Sequence, residues 1–368
     1  MNEPWEKVAE RVILYTDSYL DFEGEYKPGG RQRHMRDLAM VVRGWGRDVL
    51  IVQKGTRDFE NTCPDGIPVI GIKSKLSAKG DFGFARASRR VAKSGDVWLY
   101  ASGENAWPYF EENSKAVQHG VWWDGPQKLA TRLIQRQRAL GMMRGTRSVL
   151  CVDTNFINWL RGQGSEGYKL SQKCHYVSNY ADIDKVRPSK RTSGEHLSLV
   201  IARRFEHKRG ILIFVDALAC LKHMEIDFTA QICTVDGKDQ ISERLVFHGL
   251  QDVVRITEES MDSVLHVYEE HHIAVVPTLW SEGTSLACIE AIAAGLPVVA
   301  SPVGGLGNLV IPGFNGLIVN PEPQAIATAI AEIWTGGSWQ RMHQNCLSMR
   351  ETFSIDQWRL RVLAWLKT

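Results

Sequence analysis

The stretch "IAVVPTLWSEGTSLACIEAIAAGLPVVAS", residues 273–301, decides how the rest of the chain is read. A short β-branched run leads through a polar loop into an apolar segment that stops at Gly295, with Pro297 two residues on, and a second β-branched run follows. Gly then Pro is a common helix stop, so the pattern is strand, loop, helix, strand. Gly283, Thr284 and Ser285 fall at the helix entrance, where unpaired N–H groups and the helix dipole favour an anion such as phosphate. Two carboxylates bracket that entrance: Glu282 before the helix and Glu290 about two turns inside it. A buried carboxylate costs several kcal/mol unless something pairs with it. No other polar residue marks a solvent face between Leu286 and Ala294, so Glu290 reads as a ligand-holding group.

Working outward, short β-branched runs alternate with longer helical patterns, the signature of α/β folds with parallel sheets. "RVILYTD" (11–17), "DVLIVQK", "DVWLYASG" (96–103), "AVQHGVW" (116–122) and "SVLCVDTN" (148–155) read as strands of a first series. A second series begins near residue 196 with "HLSLVIARRF", continues through a helix in "GILIFVDALACLKHM", and adds "FTAQICTVDG" and "RLVFHG" as strands before reaching 273–301. The polar stretch 177–196 joins the two. The expectation is therefore two Rossmann-like domains facing one another across a cleft, with residues 1–188 on the acceptor side and 189–350 on the nucleotide side. Residues 351–368 form a terminal amphipathic helix crossing back to the first domain. Ligands of such sheets bind beyond the carboxyl ends of the strands.

The run 277–321, with Glu282-x7-Glu290, the pair Gly304-Gly305 and the tail "NLVIPGFNGLIVNP", strongly resembles the nucleotide-binding segment of family-4 retaining glycosyltransferases of the GT-B fold. The resemblance implies that Glu290 accepts hydrogen bonds from the ribose of a sugar nucleotide. Glu282 and the amides of Gly283, Thr284, Ser285 and Leu286 would meet the donor sugar and diphosphate. "ARRFEHKRG" (202–210) resembles the family's "G-R-L-x-x-x-K-G" loop, with Arg204 and Arg209 aligned and Lys208 adjacent. These cations would stabilise charge developing on the leaving diphosphate, in the place a metal takes elsewhere.

Two first-domain features follow from the same resemblance, and a third adjoins them. Gly29 and Gly30 match a glycine loop before the first helix, where Arg31 or Arg33 could meet a phosphate, although a plain strand-to-helix turn would look much the same. His119 in "VQHGVWWDGP" matches a histidine that lies near the reacting sugar. Trp122, Trp123 and Asp124 follow it; aromatic faces beside an acid suit a sugar or lipid-linked acceptor, as tryptophans would equally suit the core.

Residues 127–147 carry Lys128, Arg132, Arg136, Arg138, Arg144 and Arg147 without an acid, while Leu129, Leu133, Leu140 and Met143 recur at helical spacing. Such a helix is either a domain helix with a solvated basic face or a peripheral contact with an anionic membrane.

The 368 residues carry a net charge of only +2, so nothing global points to nucleic acid. Seven cysteines without metal-ligand spacing read as separate reduced thiols, and no apolar run suits a signal peptide or membrane span. The expectation is a cytoplasmic protein, peripheral at most on the inner membrane face, that needs no cofactor or metal. It would move a sugar from a nucleoside-diphosphate sugar to a hydroxyl of a glycan, lipid-linked or small-molecule acceptor. A GT-B sugar-nucleotide epimerase and a non-catalytic sugar-nucleotide-binding protein are the alternatives. A dinucleotide dehydrogenase lacks its G-x-G-x-x-G signature here.

Overall fold

A computed structural model of the chain describes residue 5 and residues 10–25, 30–76, 78–260 and 263–368, the side chains of 30–31 and 78–80 excepted. These fall into two compact units. One comprises the residues up to His119 with Pro126–Val177 and Arg359–Thr368; the other comprises Gly120–Gly125 and Ser178–Trp358.

The first unit runs β1 (Arg11–Tyr15), α1 (Gly30–Gly44), β2 (Asp48–Gly55), β3 (Phe59–Thr62), β4 (Pro68–Lys73), α2 (Ala78–Ser88), β5 (Asp96–Tyr100) and β6 (Lys115–Gln118). It continues with α3 (Leu129–Gly145), β7 (Ser148–Cys151), α4 (Thr154–Arg161), α5 (Gly164–Ser171) and β8 (Cys174–Tyr176). The sheet order is β3-β4-β2-β1-β5-β6-β7-β8, parallel except for the β3–β4 hairpin, which the sequence reading did not anticipate. Val12 to Tyr15 are all buried, as expected of a strand covered on both faces.

The second unit runs β9 (Leu197–Ala202), α6 (Ile211–His223), β10 (Phe228–Cys233), α7 (Lys238–His248), β11 (Val254–Thr257), α8 (Val264–Val267), β12 (Ile273–Val276) and α9 (Leu286–Ala293). Then come β13 (Val298–Ala300), β14 (Gly316–Ile318), α10 (Pro323–Thr335) and α11 (Trp339–Met349). Its six described strands are all parallel, in the order β11-β10-β9-β12-β13-β14. Leu197, Leu199 and Ile201 of β9 join the core formed with α6 and α10, while Val200 joins the one that holds α9. "RLVFHG" proves to be the end of α7 rather than a strand: Ile241 and Leu245, four apart, face the core while Val246 and Phe247 are exposed. The strand lies instead at 254–257.

The joining segment belongs to the second unit from Ser178 onward, before the boundary expected at 188. It is fastened there because the Arg350 guanidinium donates to the carbonyls of Ile183 and Val186, and Ala181 pairs with Ser354. The last helix, α12 (Ile355–Lys367), has Trp358 against Tyr180 in the second unit and packs with the first from Arg359 on. There Trp365 Nε1 donates to Ser148 Oγ at 3.0 Å. Lys115 Nζ donates to the carbonyls of Trp365 and Leu366 at 2.5 and 3.1 Å, satisfying groups that a helix end leaves unpaired. No described helix is long and apolar enough to cross a membrane.

Candidate functional site

The loop between β12 and α9 folds against other segments of the second unit. Leu279 N–H donates to the Lys208 carbonyl at 2.8 Å, which ties the loop to the 3-10 turn His207–Arg209 after β9. The glycine pair lies on its other side. Gly304 has φ +53°, and a Cβ there would fall 1.8 Å from the Glu282 carbonyl oxygen; one on Gly305 would fall 2.6 Å from the Gly283 carbonyl carbon. Only bare backbone fits so close, which is the physical reason for two glycines here. Ser281, just before Glu282, takes φ +62°, rare for a residue with a side chain, and its N–H donates to Asp124 Oδ1 at 2.9 Å.

Glu282 is buried, and its Oε2 accepts from three donors: the Arg203 guanidinium, Arg209 Nη1 at 2.5 Å and Thr278 Oγ1 at 2.9 Å. Arg203 also donates from Nη1 to Ser285 Oγ at 2.6 Å. Among the described residues Oε1 has no hydrogen-bond donor. Burial alone would raise the Glu282 pKa, but the charges of Arg203 and Arg209 outweigh it and hold the carboxyl below its ordinary value. The group is a fixed carboxylate.

This arrangement corrects the assignment of the basic loop. Arg204, the expected partner of Arg209, is exposed; Arg203 stands at the site instead. The strand register persists one residue beyond Ala202, since Arg203 N–H still pairs with the Cys233 carbonyl, and the turn begins only at Arg204. The two neighbouring arginines therefore leave the backbone in different directions. Of Lys208 and Arg209, Arg209 meets Glu282, whereas Lys208 pairs with Glu206 at 3.2 Å.

Glu290 is only 6% exposed, in a helix whose residues Cys288 to Ala293 are all buried, so it does not sit on a solvent stripe. Its charge is felt by the buried Tyr268 phenol, whose pKa is raised first by burial and then by Glu290. Thr284 and Ser285 are buried at the helix entrance, with Gly283 and Leu286 half-buried beside them. Asn179 and Thr278 also belong to this constellation, and the sequence reading passed over both. A polar residue on a joining segment carries no periodic signal.

In the first unit His119 Nε2 donates to the Ala101 carbonyl at 3.0 Å, and its ring lies edge to face on His34 at 5.0 Å. Burial, with Arg33 nearby, pushes the His34 pKa down to about 4, so that ring is neutral at pH 7. Gly30 opens α1, and Gly29 lies outside the described residues. Trp123 is buried and Trp122 is 39% exposed, so only Trp122 keeps an accessible face. Asp124 is occupied with the Ser281 N–H; burial raises its pKa, opposed by that bond.

The basic helix is not uniformly solvated. Arg138 is buried on Asp81, Arg144 pairs with Glu166 and Arg136 donates to Gln163. Leu140 and Met143 are core, whereas Leu129, Leu133 and Ile134 are exposed.

Comparison with known proteins fits this geometry. Residues 196–335 match the family model described as Glycosyl transferases group 1. Over 132 residues the chain is 32% identical to an uncharacterised glycosyltransferase of Methanocaldococcus jannaschii, and over 181 residues 31% identical to D-inositol 3-phosphate glycosyltransferase 2 of Catenulispora acidiphila. These alignments take in 35% and 42% of this chain and 36% and 41% of those proteins, so the chain spans well under half the length of either relative. The glycogen synthase of Mycobacterium tuberculosis is 28% identical over 90% of this chain and 89% of its own.

Among solved structures, sucrose-phosphate synthase from Thermosynechococcus elongatus superposes with a TM-score of 0.75 at 19% identity, covering 95% of this chain and 96% of that one. Anabaena HepE, solved with UDP and glucose, gives 0.73 at 16% identity, covering 96% and 98%. The fold is GT-B, and residues 196–335 are similar to the Glycosyl transferases group 1 family.

Proposed function

We propose that this chain is a retaining, family-4-type glycosyltransferase that moves a hexose from a nucleoside-diphosphate sugar to a hydroxyl of a glycan, lipid-linked or small-molecule acceptor. One observation carries the reading. At the entrance of α9 Glu282 faces two guanidiniums, Arg203 and Arg209; Glu206, which also acts on Arg209, is paired with Lys208, and this leaves a formal surplus of one positive charge beside helix N–H groups. A diphosphate is the ligand chemistry that offsets such a surplus, and the same donors stabilise it as it leaves. Anabaena HepE, of the same fold, binds UDP and glucose, which supports this donor class by analogy.

In this reading Glu290 accepts from the ribose hydroxyls, and Glu282 Oε1 accepts from a hydroxyl of the donor sugar. With Oε2 held by three donors, Glu282 is a weak base and a poor nucleophile, so no covalent glycosyl-enzyme is invoked. The acceptor oxygen attacks the anomeric carbon on the face from which the diphosphate departs. The carbon–oxygen bond to phosphate breaks through an oxocarbenium-like state, and the departing phosphate oxygen takes the acceptor's proton. His119 orients the reacting sugar, and Trp122 offers its face to the acceptor. The guanidiniums and N–H groups supply the charge that a metal would supply elsewhere. For a cytoplasmic enzyme, Leu129, Leu133 and Ile134 beside Lys128 and Arg132 support peripheral contact with an anionic membrane. Absence of binding to anionic vesicles at low salt removes that part.

A thermal-shift panel of nucleoside diphosphates and their sugars, followed by calorimetry, tests the donor site. Glu290→Ala is expected to lose most affinity for diphosphate and nucleoside alike while remaining folded; unchanged affinity overturns the ribose assignment. Turnover separates the alternatives: donor consumed only with an acceptor marks a transferase, donor isomerised alone an epimerase, and binding without either a non-catalytic binding protein.

A further inference from the structure

Asn179 is the second residue after the chain enters the main segment of the second unit, and it makes two hydrogen bonds to one residue of the α9 entrance. Its backbone N–H donates to Thr284 Oγ1 at 2.9 Å, and its side-chain Nδ2 donates to the Thr284 carbonyl at 2.7 Å. The foot of this clamp is itself fixed: the Tyr180 ring packs against that of Trp358, tilted by 37° with centroids 4.3 Å apart, and Ala181 exchanges backbone bonds with Phe353 and Ile355. In a trans peptide the C=O and the following N–H point in opposite directions. With the Thr284 carbonyl turned onto Asn179, the Ser285 N–H is turned away from it. Neither that N–H nor the one of Gly283 has a protein acceptor among the described residues.

We propose that Asn179 is a positioning residue that holds the Thr284–Ser285 peptide with its N–H toward the donor diphosphate. The inference rests on the donor reading above. Its physical content is the orientation of one peptide plane. Released from Asn179, the plane can rotate and present a carbonyl oxygen to the phosphate, exchanging a charge-assisted hydrogen bond for a repulsion between two acceptors. The ribose contact assigned to Glu290 lies deeper along α9 and does not depend on this plane.

The test compares the nucleoside diphosphate that most stabilises the wild-type full chain, among ADP, GDP, UDP, CDP and dTDP, with its parent nucleoside. In Asn179→Ala the Kd of the diphosphate is expected to rise about tenfold or more, while that of the nucleoside stays within about twofold and Tm is little changed. Asn179→Asp keeps the size but sets a carboxylate against the Thr284 carbonyl; its diphosphate Kd rises further, and it serves if the alanine variant does not fold. In turnover, the donor KM rises more than kcat falls. Equal weakening of diphosphate and nucleoside marks a merely structural role and overturns the proposal, as does an unchanged diphosphate Kd. A wild-type chain that binds no nucleoside diphosphate overturns the donor reading and this inference together, whereas wild-type binding that the variants leave intact overturns this inference alone.

Discussion

In the first unit Lys54 and Arg138 face Asp81 and Asp17: Lys54 meets both acids, and Arg138 Nη1 donates to Asp81 Oδ2 at 2.8 Å. Two cations balance two anions there, and Asn105 Nδ2 donates to Asp17 Oδ2 at 2.5 Å. In the second unit one carboxylate, Glu282, faces two guanidiniums, and its Oε1 has no donor among the described residues. Both clusters are largely buried and pair carboxylates with cations. The balanced one offsets its own charges and reads as architecture, although Asp17 Oδ1 there has only its ion pair with Lys54, whereas the unbalanced one is offset only with an added anion. Burial of charge does not by itself mark a site; uncompensated charge does.

The sharpest way to break this contrast is at Glu282. Glu282→Gln removes the ionised acceptor beside the proposed donor sugar and is expected to lower kcat/KM by more than about a hundredfold, while diphosphate affinity is kept or strengthened because both guanidiniums are released. A matching loss of diphosphate affinity, read by calorimetry, contradicts the assignment of the arginines to phosphate.

Next comes the neighbouring pair. Arg203→Ala should weaken nucleoside diphosphate binding by about tenfold to a hundredfold, and Arg204→Ala by less than about twofold. The reverse order restores the register first read from the sequence.

In the balanced cluster, Asp81→Ala leaves two buried cations short of a partner and is expected to cost about 3–5 kcal/mol of stability. The drop in denaturation midpoint should come without loss of diphosphate affinity in the protein that remains folded. A binding defect with unchanged stability would make that cluster a site as well.

The smallest effect concerns Lys115, also in the first unit. Burial, with Arg147 nearby, lowers its pKa from the ordinary 10.5 to about 7. Between those values the unfolded chain binds a proton that the folded one does not, so this residue makes stability rise with pH across that window. Denaturation at several pH values should show a shallower rise for Lys115→Met than for the wild type.

Much of this was legible in the residues. The βαβ order, the helix stopped by Gly295 and the lone Glu290 in an apolar run each report local chemistry, because strand and helix periods and helix stops are properties of neighbours along the chain. The segment 244–249 misled for the same reason: six residues of mixed polarity suit either period, and only Ile241 and Leu245 packed on the sheet decide for the helix. The basic helix divided in a way its composition did not reveal, with Arg138 drawn inward by Asp81 far along the chain.

The sequence by itself determined that a doubly repeated α/β chain presents an anion-favouring helix entrance between two carboxylates. Only the tertiary structure decided which cation serves it, that Thr278 completes the hold on Glu282, and that Asn179 turns the Thr284 carbonyl. The choice of cation depends on a register shift of one residue and on a partner 73 positions away, and the Asn179 bond spans 105 positions, whereas Thr278 is only four residues from Glu282 and meets it because the loop turns back. Such contacts are set by how strands and loops stack in space, a distance that no pattern along the chain encodes.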